Sequence, residues 1–252
     1  MKRILGIIIA IGFIFAAHSP AYAYRPFATE DAGVAGKGVV QLEVSWDHLK
    51  WENKDRDNVF LIVPIYGITE RIELSVEIPY MLHDTEDGEN EDGIGDINIV
   101  GKFLLIEEGD KNPAFTLKAV VKTSSGDYGK GLGSGDKDYS LVAVASKTIG
   151  DFQLHGMFGY TFVGDNGDDN IRDIYLYGIG IDYSLTENFH LVAEVAGNRH
   201  SDRTIDGDDP ASGLVGATYK ISEHLTIDGG IRFGFNDSMP DWNTTLGMSI
   251  TF

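Results

Sequence analysis

From residue 40 onward, apolar and polar side chains alternate. Val40, Leu42, Val44 and Trp46 are apolar, and the intervening Gln41, Glu43, Ser45 and Asp47 are polar. Strict alternation predicts a β-strand with one apolar face. The same period returns at Ile72 to Tyr80, Ile97 to Leu105, Phe115 to Val121, Phe152 to Phe162, Tyr175 to Tyr183, Phe189 to Val195, Val215 to Ile221, Leu225 to Phe235 and Trp242 to Phe252. Two more segments, Asn58 to Gly67 and Tyr139 to Thr148, read as strands that are apolar on both faces. Together these predict twelve strands of roughly ten residues. Pro64 and Pro79 fall inside two of them, where a missing donor predicts a bulge or a strand end.

The connections come in two kinds. Tyr66-Gly-Ile-Thr-Glu-Arg-Ile72, Tyr183-Ser-Leu-Thr-Glu-Asn-Phe189 and Tyr219-Lys-Ile-Ser-Glu-His-Leu225 are short and self-similar, whereas Asp84 to Asp92, Ser124 to Asp138, Asp165 to Asp173 and Arg199 to Asp209 are long, glycine-rich and acidic. Short turns on one rim and long loops on the other predict a transmembrane barrel. A soluble sandwich would need a second apolar set to build its inter-sheet core, and most strands here carry only one. Tyr66, Tyr183, Phe189 and Tyr219 gather beside the short turns, where an interfacial girdle belongs. The expected fold is therefore all-β: an up-and-down antiparallel transmembrane β-barrel of about 12 strands, in the bacterial outer membrane.

Residues 1–23 read as an address. Met1-Lys2-Arg3 is basic, Ile4 to Ala17 is almost wholly apolar, and Ala21-Tyr22-Ala23 is a small-x-small cleavage site. The apolar run stops at His18-Ser19-Pro20, short of the roughly 20 residues an anchor helix needs. The expected organisation is a signal peptide at 1–23, a periplasmic segment or lumen plug at 24–37, and a barrel at 38–252. The 252 residues include 39 Asp plus Glu against 20 Lys plus Arg, a formal charge of -19. That balance excludes nucleic acid as a partner, because phosphate contacts need a clustered basic surface. With no cysteine, disulfides and thiolate chemistry are excluded too.

Two motifs carry a family resemblance. Arg25-Pro26-Phe27-Ala28-Thr29-Glu30-Asp31-Ala32-Gly33, followed by Gly36-Lys37-Gly38, is one, and Asp92-Gly93-Ile94-Gly95-Asp96, running into Lys102-Phe103, is the other. They resemble the opening segment and the Gly-x-Gly-Asp hairpin of outer-membrane proteins assigned to the meta pathway of phenol degradation. The resemblance implies an outer-membrane channel or uptake porin, linked in some members to aromatic or other hydrophobic compounds. The terminal Phe252 likewise resembles the signal read by the barrel-assembly machinery. The residues also have structural readings. Gly93 and Gly95 suit a tight acidic loop, and no helix follows to make a phosphate cradle. Thr29-Glu30-Asp31 suits a rim or plug better than a solute contact.

Positions opposite the apolar set are expected to line the lumen: Glu43, Glu73, Glu77, Lys102, Lys118, Lys122, His155, His190, Glu194 and Arg232, with Gln41, Asp96, Asn98, Gln153 and Asp228. If Tyr66 faces lipid, then Val59, Leu61, Val63 and Ile65 point inward as an apolar stripe, extended by Val100, Val120, Met157 and Val192. These residues are the expected solute path. No serine stands at a recognisable spacing from His83, His155 or His200, so no enzyme is expected. Asp165 to Asn170 is rich in oxygen ligands but lacks the distal glutamate of a Ca²⁺ loop, so no metal or cofactor is expected. The expected partners are outer-membrane lipid, lipopolysaccharide, the assembly machinery and a small-molecule solute. The leading expectation is passive uptake of small hydrophobic or aromatic solutes. The competing one is a non-conducting barrel that acts through its acidic extracellular loops. Those loops hold much of the negative charge, so the outer mouth should favour cations.

Overall fold

The computed structural model describes residues 25–52, 55–85, 90–165, 167–204 and 207–252. The expected signal peptide lies outside the described residues, as do 86–89, 166 and 205–206 of the acidic loops. Thirteen strands are present among those residues: β1 Val40–Lys50, β2 Arg56–Thr69, β3 Ile72–Asp84, β4 Asn90–Ile94, β5 Asn98–Ile106, β6 Ala114–Lys122, β7 Asp138–Ile149, β8 Phe152–Phe162, β9 Ile174–Ser184, β10 Phe189–Asn198, β11 Ala211–Ser222, β12 Leu225–Gly234 and β13 Trp242–Thr251. Neighbours pair antiparallel in chain order, β1 pairs with β13, and β2 pairs with β3, which closes the ring. Closure is what lipid demands, since an open edge would leave backbone groups without partners in hydrocarbon.

Twelve strands make the ring, and β4 is the addition. The sequence reading put Asn90–Ile94 in a loop; it is a strand because β3 runs on to Asp84 and offers it a ladder, Tyr80↔Ile94 to Asp84↔Asn90. Below that point β3 pairs with β5 instead, from Glu77↔Asn98 to Ile72↔Phe103. Pro79 stands at the changeover, where its carbonyl accepts the Gly95 N–H at 2.9 Å. Pro64 corrects the expectation of a bulge: it sits opposite Leu42 in a continuous register with β1, and on the other side the ladder to β3 skips Val63 and Pro64 and resumes at the same offset. The register shifts fall instead beside the short turns, at Gly67/Thr69, Leu104/Ile106 and Lys220/Ser222.

Alternation sorts the side chains as the period predicts. Leu74, Ile99, Phe158, Ile179, Val195, Val215 and Leu246 are exposed on the outside. Gln41, Glu43, Glu73, Lys102, His155, Glu194 and Asp228 are buried inside. This inversion of a soluble protein is stable only with hydrocarbon around it. Aromatic side chains mark both interfaces. Phe152 stacks on Tyr183 at 4.8 Å near the short turns; Tyr160 meets Phe162 edge-on at 5.1 Å and His48 lies 5.5 Å from Trp242 near the long loops. Among the described residues no helix is long and apolar enough to cross a membrane.

Candidate functional site

Residues 25–39 thread the barrel interior, held by charge at one end and by backbone hydrogen bonds along their length. Arg25 donates to Thr245 and lies 3.7 Å from Asp228 and 3.6 Å from Asp47. Barrel side chains then accept backbone N–H groups at every third residue. Glu194 takes Thr29, Ser146 takes Ala32 at 2.8 Å, and Glu73 takes Ala35 at 2.5 Å. The Thr116 hydroxyl returns a bond to the Ala32 carbonyl at 2.5 Å. Such contacts hold an extended segment through its backbone, the group every residue carries. Specificity comes from Glu30, which ion-pairs with Lys118 and lies 3.4 Å from Lys102, and from Asp31, 4.0 Å from Lys102. Arg232 in turn fixes Glu194 at 2.7 Å.

The segment fits because inward-facing glycines make room for it. A Cβ at Gly180 would come within 3.2 Å of the Phe27 ring, and one at Gly216 within 3.1 Å of Pro26. Where the segment meets β2, Gly67 donates to the Val39 carbonyl at 3.0 Å and accepts from Gly38 at 2.8 Å. Ala32 packs with Val142 and Val144, and Ala35 with Val63 and Ile65.

Next to Glu30 lies a cavity of about 540 Å³. One part of its wall is ionic, with Lys118 paired to Glu30 and Glu77 and Lys122 bound to Asp138 at 2.7 Å. Another part is apolar: Val120, Val142, Met157, Ile174, Leu176 and Ala196. An apolar wall facing neutralised charge suits a small amphipathic or aromatic solute, which needs desolvated contact for its ring and a polar surface for a substituent.

The residues expected to line the lumen fall in different environments. Glu77, Lys118, Lys122 and Arg232 border the cavity. Glu43, Glu73, Lys102, His155 and Glu194 are buried. The apolar stripe is split likewise: Val63 and Ile65 are covered by Ala35, with Val39 and Leu61 packed against them, and Val59 is half-buried nearer the long loops. The cavity's own apolar wall was only partly legible. Val120 and Met157 were expected, whereas Val142, Ile174, Leu176 and Ala196 were missed. For Val142 the signal was present, since its strand reads apolar on both faces.

The histidines also resolve. His155 does have a serine beside it, contrary to the sequence reading. The Ser146 hydroxyl lies 2.9 Å from His155 Nδ1 while accepting the Ala32 N–H, and the Phe27 ring packs 5.7 Å away. With its oxygen engaged and both residues buried, that pair holds the segment rather than a substrate. His190 bonds Asp182 at 2.7 Å, and His83 bonds Asp57 at 2.6 Å.

The Gly93-x-Gly95-Asp96 motif anchors the loop between β6 and β7. Asp96 accepts the Gly126 N–H at 2.9 Å and the Ser134 N–H at 2.8 Å, and lies 3.6 Å from Lys122. The loop buries Leu132 against the motif, and a Cβ at Gly93, whose φ is +154°, would come within 2.9 Å of the Leu132 side chain. Among the described residues no cluster of His, Asp and Glu could hold a metal ion.

A family model described as "Putative MetA-pathway of phenol degradation" matches residues 23–252. An outer-membrane channel from Pseudomonas putida F1 superposes with a TM-score of 0.73 at 14% identity, covering 88% of this chain and 98% of the other. The NanC porin gives 0.59 at 11% identity, over 83% and 98%. The KdgM porin in complex with disordered oligogalacturonate gives 0.55 at 11%, over 83% and 99%. At these identities the likeness concerns the fold. No curated protein matches the chain.

Proposed function

The chain belongs to the MetA-pathway phenol-degradation family, and we propose that it is an outer-membrane channel for passive uptake of small hydrophobic or aromatic solutes, with residues 24–37 as its plug. The observation that carries this reading is the cavity of about 540 Å³ with an apolar wall opposite paired charges. A solute with a ring and one polar group would lay the ring on Val142, Met157 and Leu176 and turn the polar group toward Lys118 and Glu77. Below the cavity, the bonds of Thr29, Ala32 and Ala35 to barrel side chains support a closed resting state from which the segment must shift. Each bond is worth only about 1–3 kcal/mol net, so such a segment can leave its track while the continuously laddered wall stays whole.

The test is solute-dependent uptake into liposomes carrying the purified barrel. Phenol-sized aromatics should enter faster than sugars of equal mass, and deletion of residues 25–37 should raise the rate for both. No uptake of either solute beyond that of protein-free liposomes, with or without that segment, would refute the proposal and favour the non-conducting barrel.

A further inference from the structure

The lipid face is not uniform. Over β10 and β11 it sinks into a groove of about 460 Å³. Its floor is Ala193 and Gly213, and its sides are Ile179, Val215, Phe233 and Phe235. The Phe235 ring leans over the floor so closely that a Cβ at Gly213 would come within 2.8 Å of it. The groove lies in the half of the barrel nearer the long loops, since Gly213 is the third residue of β11 after its loop and Phe233 the ninth of β12.

Above the groove, outward-facing residues follow one another along the β9–β10 ladder. Val195 pairs with Ile179 and Gly197 with Tyr177, and the Arg199 N–H then bonds the Tyr175 carbonyl at 3.0 Å. Tyr177 fills the space beside Gly197, its hydroxyl 2.8 Å from where a Cβ would stand. The Arg199 guanidinium lies over the Tyr175 ring, 5.8 Å from its centre, and among the described residues no carboxylate forms an ion pair with it. Arg199 is four residues beyond Val195, about 13 Å along a strand. The neighbouring carboxylate, Asp173, is engaged by the Tyr160 hydroxyl at 2.9 Å and the Val163 N–H at 3.0 Å.

From water inward, the column runs cation, aromatic pair, apolar groove. That is the polarity order of an anionic lipid: phosphate at the interface, acyl chain below. A flat protein partner would leave the groove empty, whereas a flexible chain fills it. We propose that this column binds one lipopolysaccharide molecule of the outer leaflet, with an acyl chain over Ala193 and Gly213 and a lipid A phosphate on Arg199.

Native mass spectrometry of the detergent-purified barrel titrated with diphosphoryl hexa-acylated lipid A tests this. One lipid A should be retained, and Arg199→Gln should weaken it about tenfold, the scale of one charge-assisted hydrogen bond. Ala193→Phe, which fills the groove, should abolish it. Arg203→Gln, removing an exposed cation of the same loop, should leave it unchanged. Heat-modifiable migration confirms that each variant is folded, and Arg199→Gln touches no groove residue, so misfolding of Ala193→Phe would not hide the outcome. Equal retention by wild type and Arg199→Gln would overturn the proposal. So would equal binding of dephosphorylated lipid A or of phosphatidylglycerol, or a concentration-dependent dimer that Ala193→Phe dissolves.

Discussion

Substituting Gly67 with alanine should release the N-terminal segment while leaving the barrel wall standing. Gly67 faces the lumen at the short-turn end of β2, where residues 35–39 pass directly over it. A Cβ there would lie 2.6 Å from the Ala35 carbonyl oxygen and closer still to that of Gly36. Both obstacles are backbone, so no change of rotamer relieves them, and either β2 or the segment must yield. The β2 strand is laddered on both sides, to β1 and β3, so the segment is the weaker party. Its losses are the two hydrogen bonds with Gly67, at about 1 kcal/mol each, and part of the packing of Ala35 on Val63 and Ile65, about 1 kcal/mol more. A total near 3 kcal/mol raises the undocked fraction about a hundredfold. Two assays read it: single-channel recordings in planar bilayers, and limited Glu-C cleavage after Glu30, whose carboxylate is paired with Lys118 inside the barrel until the segment leaves its track. Open probability and cleavage should rise together while heat-modifiable migration persists. Gly156→Ala is the control, because a Cβ there meets nothing within 4 Å. If Gly67→Ala conducts and resists Glu-C as the wild type does, the segment is not held where the argument requires.

Glu30→Gln removes one of the carboxylates that neutralise Lys118 and Lys102 and leaves Glu77 and Asp31, so the cost stays below the roughly 3–5 kcal/mol of a buried pair broken outright; a lower thermal midpoint and a shift of reversal potential toward anions are expected. Asp96→Ala removes the acceptor of the Gly126 and Ser134 N–H groups, so hydrogen exchange over residues 123–137 should speed up while the strands remain protected. The acidic outer mouth should give cation preference, read as a reversal potential under a salt gradient; anion preference would contradict it. Glu108, at the turn after β5, tests pH dependence: burial acts to raise its pKa, but the Thr148 N–H, the Lys147 ammonium and the Thr148 hydroxyl outweigh it and hold the carboxyl below the ordinary glutamate value. A depressed native pKa adds stability above the unfolded value that fades as pH falls through the native one. Glu108→Gln should therefore lower the unfolding midpoint at pH 7, by under about 1 kcal/mol for so exposed a group, and change little at pH 3.

The number and direction of the ring strands, and the apolar face each turns to lipid, were readable from residue order. In lipid, a closed sheet must carry apolar side chains outward at every second position, and that rule is local: Leu42 and Glu43 obey it without reference to any distant residue. Pro64 departed from expectation because its missing donor interrupts only the ladder to β3, while the unbroken ladder to β1 holds the register. Three features depended on the closed ring. Asn90–Ile94 shows no convincing alternation and is a strand only because β3 extends beside it. Val63 and Ile65 point inward as their period requires, yet whether they meet solute or Ala35 depends on the route of a segment about 30 residues away in sequence. That route is set by Glu73, Ser146 and Glu194, which lie on β3, β7 and β10 and converge only once the ring has closed. The clue that was present, glycine at inward positions such as Gly67, Gly180 and Gly216, says that something passes close by. What passes is a matter of which residues share the lumen, and alternation along one strand carries no information about the far side of a barrel.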